Sequence, residues 1–172
     1  MSRVIGKREL ESRPLAAFKI REIARRQGDA PARRHGGDGF FRRRGIRVEK
    51  ELNKLTPALG SADQIRQVLS NLVVNAKDSM NQGGVLRVRT RVARKNDFSE
   101  VIRILVADSG CGISPGILRT MFEPFVTTKG ERGTGLGLWI VKGIIENHGG
   151  KLKVRSRPDQ GTVFSIELPS VV

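Results

Sequence analysis

Several short runs in this sequence hold side chains able to do chemistry. Asn71-Leu-Val-Val-Asn75-Ala-Lys-Asp78 sets two asparagines four residues apart, so on a helix both lie on one face. Two amide oxygens there suit a hard cation such as Mg2+, with phosphates and water completing its shell. The same spacing also describes solvated or capping asparagines, and Asp78 suits a cap or a lysine partner. Asp108-Ser-Gly110-Cys-Gly112-Ile follows an apolar run. A carboxylate at a strand end, then two glycines, lets the backbone pass close to a flat ligand. Asp108 can accept a hydrogen bond from an exocyclic amine, and burial would make that choice selective against a carbonyl edge. An ordinary β-turn uses the same residues.

Gly133-Thr134-Gly135-Leu136-Gly137-Leu138 stands at the entrance to a helix, where free backbone N–H groups at a positive terminus form a phosphate cradle. Lys129 and Arg132, just upstream, can neutralise phosphate charge. A glycine hinge is the alternative. In Met121-Phe-Glu-Pro-Phe-Val-Thr127-Thr128-Lys129, Phe122 and Phe125 read as apolar anchors at the base of a loop, Phe122 as core. Thr162, in Gly161-Thr-Val-Phe-Ser-Ile-Glu-Leu-Pro, can assist Asp108 through a shared water or serve only as a strand residue. Cys111 reads as a small buried filler and Trp139 as core or loop packing.

These groups need elements to hold them. Ile46–Leu52 alternates apolar and charged residues, as a half-buried strand does. Ser61, with Gln64 three residues on, opens a helix over Ala62–Met80 whose inward face is Ile65, Val68, Leu69, Leu72, Val73 and Ala76. Val85–Val92 and the more apolar Val101–Ala107 read as strands. Leu118–Phe122 reads as a short helical piece, and residues 123–133 as a mobile loop. Leu136–His148 reads as an amphipathic helix with Leu136, Ile140, Ile144 and Ile145 inward. Lys151–Arg155 and Gly161–Leu168 form a hairpin pair. The order of helices and strand pairs implies an α+β two-layer sandwich, helices on a mixed, mostly antiparallel sheet. No glycine loop follows the first strand, which disfavours a Rossmann domain.

The chain has 172 residues, a net charge of +15, one cysteine and two histidines. One cysteine excludes a disulfide framework, and two distant histidines argue against a zinc site. The absence of a long apolar run or a leader-like start predicts a cytoplasmic chain. Residues 1–41, rich in Arg and Gly, set themselves apart as a basic segment, disordered or atypical; a short helix near Leu15–Arg26 is possible. No aromatic interleaving or base-reading pattern accompanies the charge, so nucleic acid is a disfavoured partner.

Taken in order, the Asn helix, DSGCGI, FEPFVTTK, GTGLGL and GTVFSIELP resemble the GHKL ATPase superfamily, and within it the catalytic and ATP-binding domain of bacterial sensor histidine kinases. The resemblance covers residues 42–172 and implies a Bergerat-type fold with ATP and Mg2+ as cofactors. It implies Asn75 as the metal ligand, assisted by Asn71, and Asp108 on the adenine amine, with Gly110 and Gly112 admitting the base. Thr127, Thr128, Lys129 and Arg132 would lie in the ATP lid. Gly133, Thr134, Gly135, Leu136, Gly137 and Leu138 would form its hinge and phosphate-facing turn. Asp78 and Thr162 would complete the nucleotide-facing set, and Asn71 and Lys129 would attend the transfer itself.

The hydrolysing members of the superfamily place a Glu where this chain has Asn71, which is no base, so slow hydrolysis and transfer to another nucleophile are expected. Ser79 occupies a place where many relatives put an aromatic against the adenine. Neither His35, in Arg-Arg-His-Gly-Gly, nor His148, read as a capping or surface group, suits a phosphoacceptor. The expected partners are therefore a histidine-bearing dimerisation domain or protein in trans and a response regulator downstream. An anti-sigma-type serine kinase and a non-catalytic nucleotide- or nucleic-acid-binding module are the alternatives.

Overall fold

Period-two alternation becomes a five-stranded sheet. Its strands are β1 (Ile46–Leu52), β2 (Gly84–Arg94), β3 (Glu100–Asp108), β4 (Lys151–Arg157) and β5 (Gly161–Pro169), in the order β1-β2-β3-β5-β4. The computed structural model describes residues 41, 44–58, 60–94, 99–130 and 133–170. β1 and β2 run parallel and the other pairs antiparallel. The parallel pair needs a crossover, which helix α1 (Ala62–Ser79) supplies. Further helices among the described residues are the short α2 (Pro115–Thr120) and α3 (Gly137–Asn147).

Because successive strand side chains alternate faces, the register sorts them cleanly. Leu86, Val88, Ile102, Ile104, Val106, Phe164, Ile166 and Leu168 are buried in one core with α1 and α3. The opposite face carries ion pairs, Arg87 with Glu49, Arg89 with Glu51 and Arg103 with Glu167. The same register puts Asp108 opposite Leu86 on one side and Thr162 on the other, at the end of β3.

α1 follows its pattern closely. Ser61 caps it by accepting the Gln64 N–H at 3.4 Å, and the buried face is the expected Ile65, Val68, Leu69, Leu72, Val73 and Ala76. Leu72 is fully buried, so truncating it to Ala would cost about 2–5 kcal/mol. α2 starts at Pro115, the first-turn place that proline prefers, and earlier than the expected Leu118.

The apolar residues of α3 correct the sequence reading. Val141, Ile144 and Ile145 are buried and Ile140 packs partly against the core, whereas Leu136 is only half-buried and Trp139 is 49% exposed. Apolar residues surround the first turns of this helix, so periodicity alone does not choose its inner face; packing on α1 and the sheet does. Cys111 is exposed rather than buried. Phe125 is no anchor: it is 75% exposed at φ 67°. Phe122 packs against the core as expected. Phe41 is also buried in the core. The possible helix near Leu15–Arg26 lies outside the described residues.

Candidate functional site

Helix α1 is where the separate motifs meet. Its site-bearing side chains occupy positions three or four apart on the edge of the apolar stripe, free of the core but close to whatever packs beside it. Near the middle of the helix, Asn71 donates its side-chain N–H to the Gly137 carbonyl at 3.2 Å, which ties α1 to the first residue of α3. One turn on, Asn75 Oδ1 accepts a hydrogen bond from Lys129 Nζ at 2.9 Å. The same ammonium reaches Asp78 Oδ2 at 2.8 Å. At the last residue of the helix, the Ser79 hydroxyl stands 3.1 Å from Asp108 Oδ1, and the Ser79 carbonyl accepts the Cys111 N–H at 3.1 Å. Residues 71–79 thus contact the glycine-rich turn, the loop carrying Lys129 and the end of β3.

The two carboxyls differ in environment. Burial pushes the Asp78 carboxyl up, but hydrogen bonds from Lys129 and Lys77, with their charges, outweigh it and hold the group below its ordinary value. Asp108 moves the other way. Burial raises it, only partly offset by the Gly110 N–H, the Ser79 hydroxyl and the Thr162 backbone. Among the described residues no ionised group offsets that burial.

Close approach requires glycine at several of these positions. A side chain on Gly110 would collide with Ser79 Oγ. One on Gly135, at φ 65°, would be strained and would strike the Phe125 backbone. The other residues of this set have definite places. Gly112 lies against the Arg157 carbonyl, and Gly133 against Thr127, whose Oγ1 accepts the Lys129 N–H at 3.1 Å. Thr134 Oγ1 accepts the Leu136 N–H at 3.4 Å. Leu136 immediately precedes α3, Gly137 opens it, and Leu138 packs partly against the core. Thr128 is exposed. Thr162 is buried, with its hydroxyl 3.0 Å from Ser156 Oγ. Arg132 lies outside the described residues.

Sequence reasoning missed two contacts. Ser79, read only as standing where many relatives put an aromatic, is a partner of Asp108, 29 residues away. His148 accepts the Ser61 N–H at Nε2, 2.8 Å away, so its proton sits on Nδ1 and is donated to the Ile144 carbonyl at 2.7 Å. It caps α3 as expected, and it also joins the end of α3 to the start of α1. No local pattern signals either contact. Among the described residues no group of three His, Cys, Asp or Glu converges to hold a metal, and no helix is long and apolar enough to cross a membrane.

The chain belongs to the family described as histidine kinase-, DNA gyrase B- and HSP90-like ATPases, whose model matches residues 60–172. Within that family it is a catalytic domain of the histidine kinase kind. It is 40% identical over 146 residues to the sensory histidine kinase/phosphatase NtrB of Rhodobacter capsulatus, covering 80% of this chain and 40% of NtrB. It superposes on the nucleotide-free catalytic domain of the histidine kinase ThkA with a TM-score of 0.71 and 31% identity, covering 89% of this chain and 93% of that one. Full-length ShkA, solved in complex with AMPPNP, matches with a TM-score of 0.68 and 27% identity over 91% of this chain and 31% of ShkA. The chain spans less than half the length of the curated relatives it matches.

Proposed function

We propose that this domain binds ATP with Mg2+ and holds the γ-phosphate for transfer to a histidine on another domain or chain, with a response regulator downstream in a two-component pathway. The observation that carries the reading is the convergence on α1: Asn71 on Gly137, Asn75 and Asp78 on Lys129, and Ser79 on Asp108. The AMPPNP bound to ShkA supports a nucleotide of this kind.

Each group has a task in this reading. Asp108 accepts the adenine amine, and Gly110 and Gly112 keep the surrounding loop free of side chains. The opening turn of α3, with Gly137 first, presents unpaired N–H groups to phosphate. Lys129 and Arg132 neutralise phosphate charge. The residues suit a hard cation, because Asn75 Oδ1 already accepts from an ammonium that stands in for one. When bound, Mg2+ would neutralise phosphate charge during transfer. Asn71 cannot take a proton from water, so hydrolysis is slow and the phosphate waits for its acceptor. Both ring nitrogens of His148 are occupied, which supports an acceptor elsewhere. A base, if one is needed, belongs beside that acceptor. A cytoplasmic location follows from the use of ATP.

The test is calorimetric titration of ATP with and without Mg2+. Asp108→Asn is expected to weaken ATP binding by about 1–3 kcal/mol, from one mispaired buried group. Asn75→Ala is expected to abolish the Mg2+ dependence. Unchanged ATP affinity in the first variant, or full metal dependence in the second, counts against the site.

A further inference from the structure

Among the described residues, the groups that meet Asp108 are neutral. The Gly110 N–H, at 2.9 Å, and the Ser79 hydroxyl, at 3.1 Å, both meet Oδ1, and the Thr162 backbone is also within reach. Each neighbouring element can be checked for a competing charge. β2 presents Leu86 and β5 presents Thr162. The loop after β3 presents Ser109, whose hydroxyl accepts the Val85 N–H, then Gly110 and the exposed Cys111. α1 presents Ser79, beside Asp78, whose charge is spent on Lys77 and Lys129.

Ser79 has one hydroxyl proton and two acceptors for it. The Ala76 carbonyl lies 2.8 Å away and Asp108 Oδ1 3.1 Å away. Donation to Ala76 closes the last turn of α1. Donation to Asp108 favours the ionised carboxylate, because a hydrogen bond to the charged form lowers a carboxyl's proton affinity. The loop is shaped around this hydroxyl, since Gly110 could not carry a side chain beside it and the Cys111 N–H is held by the Ser79 carbonyl.

We propose that Ser79 is the positioning residue that sets purine choice: with the Gly110 N–H it holds Oδ1 and keeps Asp108 an acceptor, so that a purine bearing an amine is preferred to one bearing a carbonyl. The inference rests on the reading that the purine amine meets Asp108. Burial already pushes this carboxyl up. A protonated Asp108 offers a donor where adenine needs an acceptor, and a donor is what a carbonyl edge takes. Removing the Ser79 hydroxyl therefore brings that state in at higher pH.

The experiment titrates ATP and inosine triphosphate, which replaces the amine by a carbonyl, into the full chain from about pH 5 to about pH 8. Ser79→Ala is expected to shrink the ATP preference about tenfold and to move the acid limb of ATP binding up by about one pH unit. Ser79→Thr restores both. Should Ser79→Ala fail to fold, Ser79→Cys, a weak donor of similar size, is expected to fall between. A removed or weakened hydroxyl that leaves both preference and acid limb at their original values overturns the proposal. Asp108→Asn in parallel separates the two claims. If it loses ATP while the Ser79 variants are unchanged, only the role of Ser79 fails. If it binds ATP as before, the pocket reading fails and the proposal with it.

Discussion

Lys129 bridges Asn75 and Asp78, where the proposed function puts the metal–nucleotide complex, and replacing it by methionine measures how firmly it is held. Its ammonium holds Asp78 Oδ2 at 2.8 Å and Asn75 Oδ1 at 2.9 Å. Both charged side chains are about one-third exposed, 35% and 31%, so solvent screening keeps the ion pair within about 1 kcal/mol. The bond to the neutral amide adds about 0.5–1 kcal/mol. Methionine keeps much of the apolar stem and removes only the head group. Lys129→Met is therefore expected to lower the unfolding free energy by about 1–1.5 kcal/mol in urea titrations at neutral pH and low salt.

The pH dependence of that loss has a definite sign. The folded Asp78 carboxyl lies below its ordinary value of 3.8, because the two lysines outweigh its burial. Its contribution is thus fully present above the unfolded value and disappears as pH falls through the folded one. The gap in stability between the parent chain and the Lys129→Met variant should narrow in acid and leave only the part due to Asn75. Saturating MgATP should narrow it too, since in the proposed complex the ammonium has left Asn75 for phosphate. No loss at neutral pH, or a loss that grows in acid, would refute the reasoning.

Three further measurements test other parts of the structure. The Thr90 hydroxyl is buried and without a partner among the described residues, between Leu52 and Ile104 across the sheet. Thr90→Val should raise stability by about 1 kcal/mol in chemical unfolding, and a loss would reveal a partner for the hydroxyl. His148 spends both ring nitrogens on structure, so the chain incubated with ATP should acquire no acid-labile phosphate on it, and His148→Leu should cost about 1–3 kcal/mol through the orphaned Ser61 N–H. A labelled His148, or a leucine variant as stable as the parent chain, would contradict this.

Each motif of the candidate site was legible in the sequence, because each is a local statement. The asparagines four apart share a helical face whatever surrounds them, and an aspartate after an apolar run sits at a strand end. What stayed hidden was the pairing between motifs. Lys129 lies 54 residues from Asn75, and nothing local distinguishes a lysine waiting for phosphate from one resting on an amide oxygen. Exposure was hidden too. Cys111, Phe125 and Trp139 are residue types that usually bury, and each lies at an element end or in a loop, where no period assigns a side.

Sequence alone determined the elements and their inner faces wherever the period was clear. Ile46–Leu52 is a strand with the expected bounds, and all six inward residues of α1 were readable, because alternation and helical spacing express backbone geometry a few residues at a time. Tertiary structure decided the parallel placement of β1 beside β2, which face of α3 turns inward, the Ser79–Asp108 contact and the histidine that joins α3 to α1. Those depend on how whole elements stack and cross, and the free energy that selects the stacking is spread over the buried core rather than written at any one position.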